Sequence, residues 1–221
     1  DETPASPLIL MDLDDHLSVV HGDICHDGLI GRTLAEYEIG TVFHLAAQTL
    51  VPTANHSPLS TFETNIRGTW LLLEACRQHG TERVVVAASD KSYGPHDELP
   101  YREHYALQPR YPYDVSKAAT DMIARSYWHT WQLPVAVTRF ANLYGGGDVN
   151  GSRLVPEAIT AALAGRRPVV RSDGSPERDF LYVEDAVKAY LAIAEALDRG
   201  AAGEAFNAGG GRPHRVLDVV E

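Results

Sequence analysis

Lysine is the scarce residue of this chain, with three in 221 positions against sixteen arginines. Positive charge as a whole is short: the formal net charge is −11. That argues against a nucleic-acid-binding surface, because neutralising phosphates needs a basic stripe and none is visible. Only two cysteines occur, Cys25 and Cys76, too few and too far apart for a disulfide framework, so a reducing cytoplasm is the natural setting. No apolar run approaches membrane-spanning length, and Asp1 to Pro7 are polar and acidic, unlike a secretory signal. The ten histidines show no His-x-x-x-His or His/Cys ligand spacing, which argues against a metal site. The glycine runs at 145–147 and 209–211 lack the strand-before, helix-after context of a phosphate loop and read as turns.

What is present is ordinary globular material, 44% hydrophobic and 22% charged, long enough for one full core. Apolar spacing alternates between strand-like and helix-like stretches. Leu17 to Val20 reads as a strand, Leu29 to Glu38 as a helix, Thr41 to Leu45 as a strand, and Thr61 to Gln78 as a helix. Arg83 to Ala88 is a buried-strand pattern, Tyr113 to Trp131 a helix, and Pro134 to Phe140 another strand. Such alternation predicts an α/β fold with right-handed crossovers and a parallel, doubly wound sheet. Past Gly147 the pattern changes to a helix at Leu154 to Ala164, a strand at Pro168 to Arg171 and a helix at Val183 to Leu197. The expected division is a sheet domain over residues 1–147 and part of a second lobe over 148–221.

One of the rare lysines stands four residues after a tyrosine, in Tyr113-Asp114-Val115-Ser116-Lys117. A phenol titrates near pH ~10 and is a poor base, but an ammonium one helical turn away stabilises the phenolate and lowers that value. A chance Tyr-x-x-x-Lys arises roughly once in seven chains of this composition, so spacing alone does not decide between this and a surface Tyr–Lys pair. A second lysine, Lys91, follows Ser89-Asp90 just where the Arg83 strand would deliver its C-terminal end, the edge at which open α/β sheets bind ligands.

Together the serine, the Tyr/Lys pair and the strand–helix alternation resemble the extended short-chain dehydrogenase/reductase family, specifically its NAD-dependent nucleotide-sugar epimerases and dehydratases. The likeness continues in order through His21-Gly22-Asp23-Ile24, Val42-Phe43-His44-Leu45-Ala46-Ala47-Gln48, Thr64-Asn65-Ile66-Arg67-Gly68-Thr69, Arg139-Phe140-Ala141-Asn142-Leu143-Tyr144-Gly145 and Arg178-Asp179-Phe180-Leu181-Tyr182-Val183-Glu184-Asp185. The resemblance implies a Rossmann-like sheet, a small substrate lobe, NAD as cofactor and a nucleotide-sugar as substrate. It implies cofactor contacts at Asp23, Ile24, Leu45, Ala46, Ala47, Gln48, Asn65, Ala87, Tyr113, Lys117 and Phe140. It implies substrate contacts at Ser89, Asn142, Arg153 and Arg178, although Arg178 could equally pair with the acidic residues beside it.

In such enzymes Tyr113 would take the proton of the sugar C4 hydroxyl during hydride transfer, with Lys117 lowering its pKa and Ser89 holding the hydroxyl in line. Asp90-Lys91 resembles the CDP-glucose 4,6-dehydratase subgroup, which implies elimination of water across C5 and C6. Asp90 would be the acid for the leaving C6 hydroxyl, and Lys91 either the C5 base or a fixed charge stabilising the enolate. A plainer account leaves Asp90 bonding turn amides and Lys91 solvated. A 4-epimerase or decarboxylase of the same family and a non-catalytic NAD- or nucleotide-sugar-binding protein remain alternatives. The resemblance also implies a homodimer through two helices, for which Trp70, Leu71, Leu72, Trp128 and Trp131 supply apolar surface. The family's opening strand and Gly-x-x-Gly-x-x-Gly turn have no match before Leu17, and Asp1-Glu2-Thr3-Pro4 resembles the loop after the second strand. The expectation is an internal fragment lacking one β-α-β unit, inactive by itself and a poor binder of NAD.

Overall fold

The computed structural model describes residues 7–26 and 28–221. The expected loop at Asp1 to Pro4 lies outside them. The described residues form two compact units. One comprises 21–140 with 187–208, the other those up to 20 with 141–186 and 209–221. The last strand of the first unit thus comes from beyond the expected boundary at residue 147.

In the first unit four parallel strands stand in the order β1 (Thr41–His44), β2 (Arg83–Ala87), β3 (Val135–Phe140) and β7 (Ala205–Ala208). Register pairs Val42 with Val84 and Val84 with Val135, so Val42, Val84, Val86, Val135 and Val137 share one face. Helices Leu29–Glu36, Gly68–His79 and Pro112–Trp131 cover that face with Leu34, Leu72, Leu73, Cys76 and Ala124. Val85, Ala136 and Thr138 point to the opposite face. There the hydroxyls of Thr138 and Tyr190 lie 3.0 Å apart, and the Tyr190 ring contacts Phe43 and Phe140. Burial on both faces is why β2 carries the apolar run Val84 to Ala87 and β3 opens on Val135 to Val137, rather than alternating.

The second unit holds β4 (Asn142–Tyr144) parallel to β6 (Phe180–Tyr182), β5 (Glu177–Arg178) antiparallel to β8 (His214–Arg215), and helix Leu154–Leu163.

Two expected strands are not strands. Leu17 to Val20 is irregular, with Leu17, Val19 and Val20 at least 40% exposed, and Pro168 to Arg171 pairs with no strand. Each run is mostly apolar but short, and such runs become strands only where a neighbour completes the ladder. The Thr61–Gln78 helix is a longer composite: Pro58–Phe62, a π-helical turn at Glu63–Arg67, then Gly68–His79. Of the expected interface residues, Leu72 is buried in the core and Trp128 packs against it, while Trp70 and Trp131 stay exposed.

Leu73 has no exposed surface and sits within the main core cluster. Leu73→Ala should cost about 3 kcal/mol of unfolding free energy through lost transfer energy and a residual cavity. Urea unfolding reads this as a lower midpoint at unchanged slope; a loss below about 1 kcal/mol would show that the helix does not pack here.

Candidate active site

Ser89 caps a short 3-10 turn, Asp90–Tyr93, that leaves the C-terminal end of β2. Its hydroxyl accepts the Lys91 amide at 3.2 Å and donates to Asp90 Oδ1 at 3.0 Å. Lys91 Nζ in turn pairs with Asp90 Oδ2 at 3.0 Å, with the lysine side chain 39% and the aspartate 20% exposed. Hydroxyl, carboxylate and ammonium thus form one chain at the sheet edge. The turn-capping role foreseen as the plainer account belongs to Ser89, not Asp90.

Helix Pro112–Trp131 starts with proline at a first-turn position, where its missing N–H costs nothing. It sets Tyr113, half-buried, in the first turn and Lys117 one turn later. Lys117 is 5% exposed, its Nζ donating to the Ala87 carbonyl of β2 at 2.7 Å. Desolvation pushes the ammonium down to about 8.

Beside it lies a polar network. His44, the last residue of β1, is buried, and desolvation, followed by the nearby Lys117 charge, holds its imidazole at about 4. Thr69 Oγ1 donates to Asn65 O at 2.6 Å, so its 2.9 Å contact with His44 Nε2 must use the imidazole proton, which fixes the Nε2–H tautomer. Asn65 lies in the π-helical turn, a distortion often found at functional sites. Its carbonyl also accepts from Thr120 Oγ1 at 2.9 Å. Its amide bonds Ser116 Oγ at 2.9 Å and Gln48 O at 3.0 Å, and accepts the Gln48 N–H at 2.7 Å. The loop Leu45 to Gln48 after β1 is thereby tied to the Tyr113 helix. His44, Thr69, Ser116 and Thr120 were missed from sequence; the four-residue spacing of Ser116 and Thr120 on one helix face was the available signal.

A cavity of about 310 Å³ opens on the Lys91 side, lined also by Tyr101, Arg110, Tyr111 and Asp114. Burial and the Asp90 charge raise the Asp114 carboxyl while Lys91 opposes them.

Asp23 accepts the Cys25 amide at 2.8 Å in a tight turn, and Ile24 packs so closely on Gly68 that a Cβ there would collide with it. Leu45 and Ala46 are exposed and Phe140 is buried at the end of β3. In the second unit, Asn142 donates both its backbone and its side-chain N–H to Asp179 O. There Arg153 pairs with Asp148 at 3.2 Å, and exposed Arg178 bonds the Glu177 carbonyl rather than a carboxylate. Among the described residues no group of three or more His, Cys, Asp or Glu could hold a metal ion, and no helix is long and apolar enough to cross a membrane.

Residues 8–209 match the family model described as NAD dependent epimerase/dehydratase family. The chain is 35% identical over 205 residues to a trifunctional UDP-glucose 4,6-dehydratase/3,5-epimerase/reductase of Arabidopsis thaliana, covering 91% of this chain and 30% of that protein. It is 35% identical over 219 residues to dTDP-glucose 4,6-dehydratase 1 of Escherichia coli, covering 90% of this chain and 60% of that one. Among solved structures, a dTDP-glucose 4,6-dehydratase from Streptomyces venezuelae with NAD bound superposes with a TM-score of 0.85 at 33% identity, over 96% of this chain and 64% of that one. None of these three is named for CDP-glucose, the subgroup that Asp90-Lys91 resembles.

The buried imidazole makes stability pH-dependent. The unfolded state protonates His44 near 6.5 and the native state near 4, so this contribution is present above 6.5 and is lost as pH falls toward 4. Relative to His44→Gln, wild-type unfolding free energy should drop by about 2 kcal/mol between pH 7 and pH 5. Parallel stability profiles for the two proteins would mean that the fold does not shift the His44 imidazole from its unfolded value.

Proposed function

The chain belongs to the NAD dependent epimerase/dehydratase family, and within it we propose that the protein is a nucleotide-sugar 4,6-dehydratase. The observation that carries this reading is the hydrogen-bonded chain Ser89–Asp90–Lys91 at the end of β2, on the same sheet edge as Lys117. An epimerase needs only the hydroxyl and the Tyr/Lys pair. An acid and a base beside them serve elimination.

The residues at this edge fit a nicotinamide nucleotide: Lys117 and Tyr113 would hold its ribose, with Asn65 and Gln48 shaping the floor. When bound, NAD supplies the hydride acceptor for C4. The Lys117 ammonium stabilises the phenolate of Tyr113, which takes the C4 hydroxyl proton and becomes the phenol, and Ser89 aligns the hydroxyl. The ion pair of Asp90 and Lys91 differs from a working acid and base by one proton. Transfer across their 3.0 Å contact gives a neutral carboxyl and a neutral amine. Lys91 then accepts the C5 proton, Asp90 gives its proton to the departing C6 hydroxyl, and water leaves. That step leaves ammonium and carboxylate; the hydride taken from C4 would then return to C6 and the Lys91 ammonium would give its proton back to C5, while the proton held by Tyr113 re-protonates Asp90 through solvent, which closes the cycle. Cation and carboxylate in the adjoining cavity suit a polar sugar.

The names of the relatives favour a dTDP- or UDP-hexose, whereas Lys91 keeps a CDP-hexose in the set to be assayed. Asn142, Arg153 and Arg178 are proposed phosphate contacts. A homodimer through helices Gly68–His79 and Pro112–Trp131 is part of the same reading, supported by exposed Trp70, Val115, Met122 and Trp131, as is a cytoplasmic setting.

The full-length protein with NAD and a panel of NDP-hexoses should form a 4-keto product that has lost one water, read by mass spectrometry. Conversion to a C4 epimer without water loss would make it an epimerase instead. Tyr113→Phe should lower turnover about 1000-fold with NAD affinity held within about twofold. Asp90→Asn should oxidise C4 yet stall, leaving reduced cofactor on the enzyme.

A further inference from the structure

One buried ionic cluster takes no part in that chemistry. Arg139, on β3, is 2% exposed. Its Nε and Nη2 bond the two oxygens of Asp121 at 2.7 and 3.1 Å, and Nη1 donates to Tyr93 Oη at 2.9 Å and to the Glu103 carbonyl at 3.0 Å. Tyr93 is fully buried. Its hydroxyl donates to Asn207 Oδ1 at 2.7 Å, and its ring lies 4.9 Å from Arg139 Cζ and stacks on Tyr101 at 4.8 Å. Asn207, the register partner of Arg139 on β7, donates its side-chain amide to Tyr101 O at 3.0 Å and its N–H to Glu103 Oε1 at 2.9 Å.

Buried ion pairs are poor sources of net stability, because desolvation offsets most of the Coulomb gain. What this one does is fix position. Asp121 is on the helix of Tyr113 and Lys117; Tyr93 ends the turn that begins at Ser89. The turn is closed by Ser92 N to Ser89 O and Gly94 N to Lys91 O, and joined to the following loop by Gln108 N to Tyr93 O. Gly94 has φ of 67°, and a Cβ there would run into the Gln108 backbone, so loop and turn meet without slack.

We propose that Tyr93 is a positioning residue which, through Arg139 and Asn207, sets Asp90 and Lys91 in register with the helix that carries Tyr113. Its chemical consequence rests on the dehydratase reading; the positioning itself does not. Elimination needs the Asp90–Lys91 turn placed against the sugar, whereas C4 oxidation draws on Ser89 and the helix that Arg139 still grips through Asp121. Loss of the Tyr93 hydroxyl should therefore slow one step and spare the other.

Tyr93→Phe removes that hydroxyl and keeps the ring. In the full-length protein, hydrogen exchange at the amides of Ser92, Gly94 and Gln108 should quicken by about tenfold or more while those of β2 hold their protection. Water loss should slow about tenfold relative to C4 oxidation, seen as a build-up of reduced cofactor. Asn207→Ala, which removes the acceptor of the same hydroxyl, should give the same split. Unchanged exchange in both variants overturns the proposal, and so does an equal slowing of both steps, the mark of general loosening. If wild-type enzyme makes no 4-keto sugar from any NDP-hexose, the dehydratase reading fails, and the exchange data alone decide whether Tyr93 holds the turn.

Discussion

A buried ammonium bonded to the last carbonyl of a central strand is the constraint around which the site is arranged. Lys117 reaches from the second turn of its helix to Ala87 O, in a place where almost none of its surface meets water. An ion so placed is tolerated only with partners and without competing cations nearby. His44 meets the second condition by remaining neutral, its one proton directed to Thr69. Helix, sheet edge and the loop after β1 are then locked by Asn65, whose amide and carbonyl bond Gln48, Ser116, Thr69 and Thr120.

Charge at this edge is graded by burial. Lys117 is enclosed and shifted, while Lys91 is partly exposed and paired directly with a carboxylate. A chain that uses arginine nearly everywhere else keeps lysine at both positions, and lysine, unlike arginine, can release a proton in a protein. Arginine appears where permanence is wanted, as in the bidentate Arg139–Asp121 pair.

The parallel sheet was legible because β2 and β3 are buried on both faces, and the Tyr113 helix because its apolar residues recur at helical spacing over five turns. Leu17 to Val20 and Pro168 to Arg171 misled for the opposite reason. A four-residue run with one polar or charged member is equally compatible with a strand and with an irregular segment, and the choice lies with distant partners. Strand β7 escaped notice because Ala-Phe-Asn-Ala carries little β signal of its own and is defined by its register with β3. The gathering of Ser89, Asp90, Lys91 and Lys117 at one strand end was legible, because it follows from their spacing after β2 and along one helix. The arrangement was illegible where it depends on hydrogen bonds between residues about fifty positions apart, as between Asn65 and Thr120. The π-helical turn belongs to the second kind, since it reflects how Asn65 is held from outside its own helix.

The arrangement of this edge depends most directly on the state of Lys117. With only three lysines in the chain, its side-chain Cε signal can be followed by carbon-13 NMR and assigned by its absence in Lys117→Arg. Burial against Ala87 predicts a titration midpoint of about 8; a midpoint near ~10.4, the value of a solvated lysine, would contradict it.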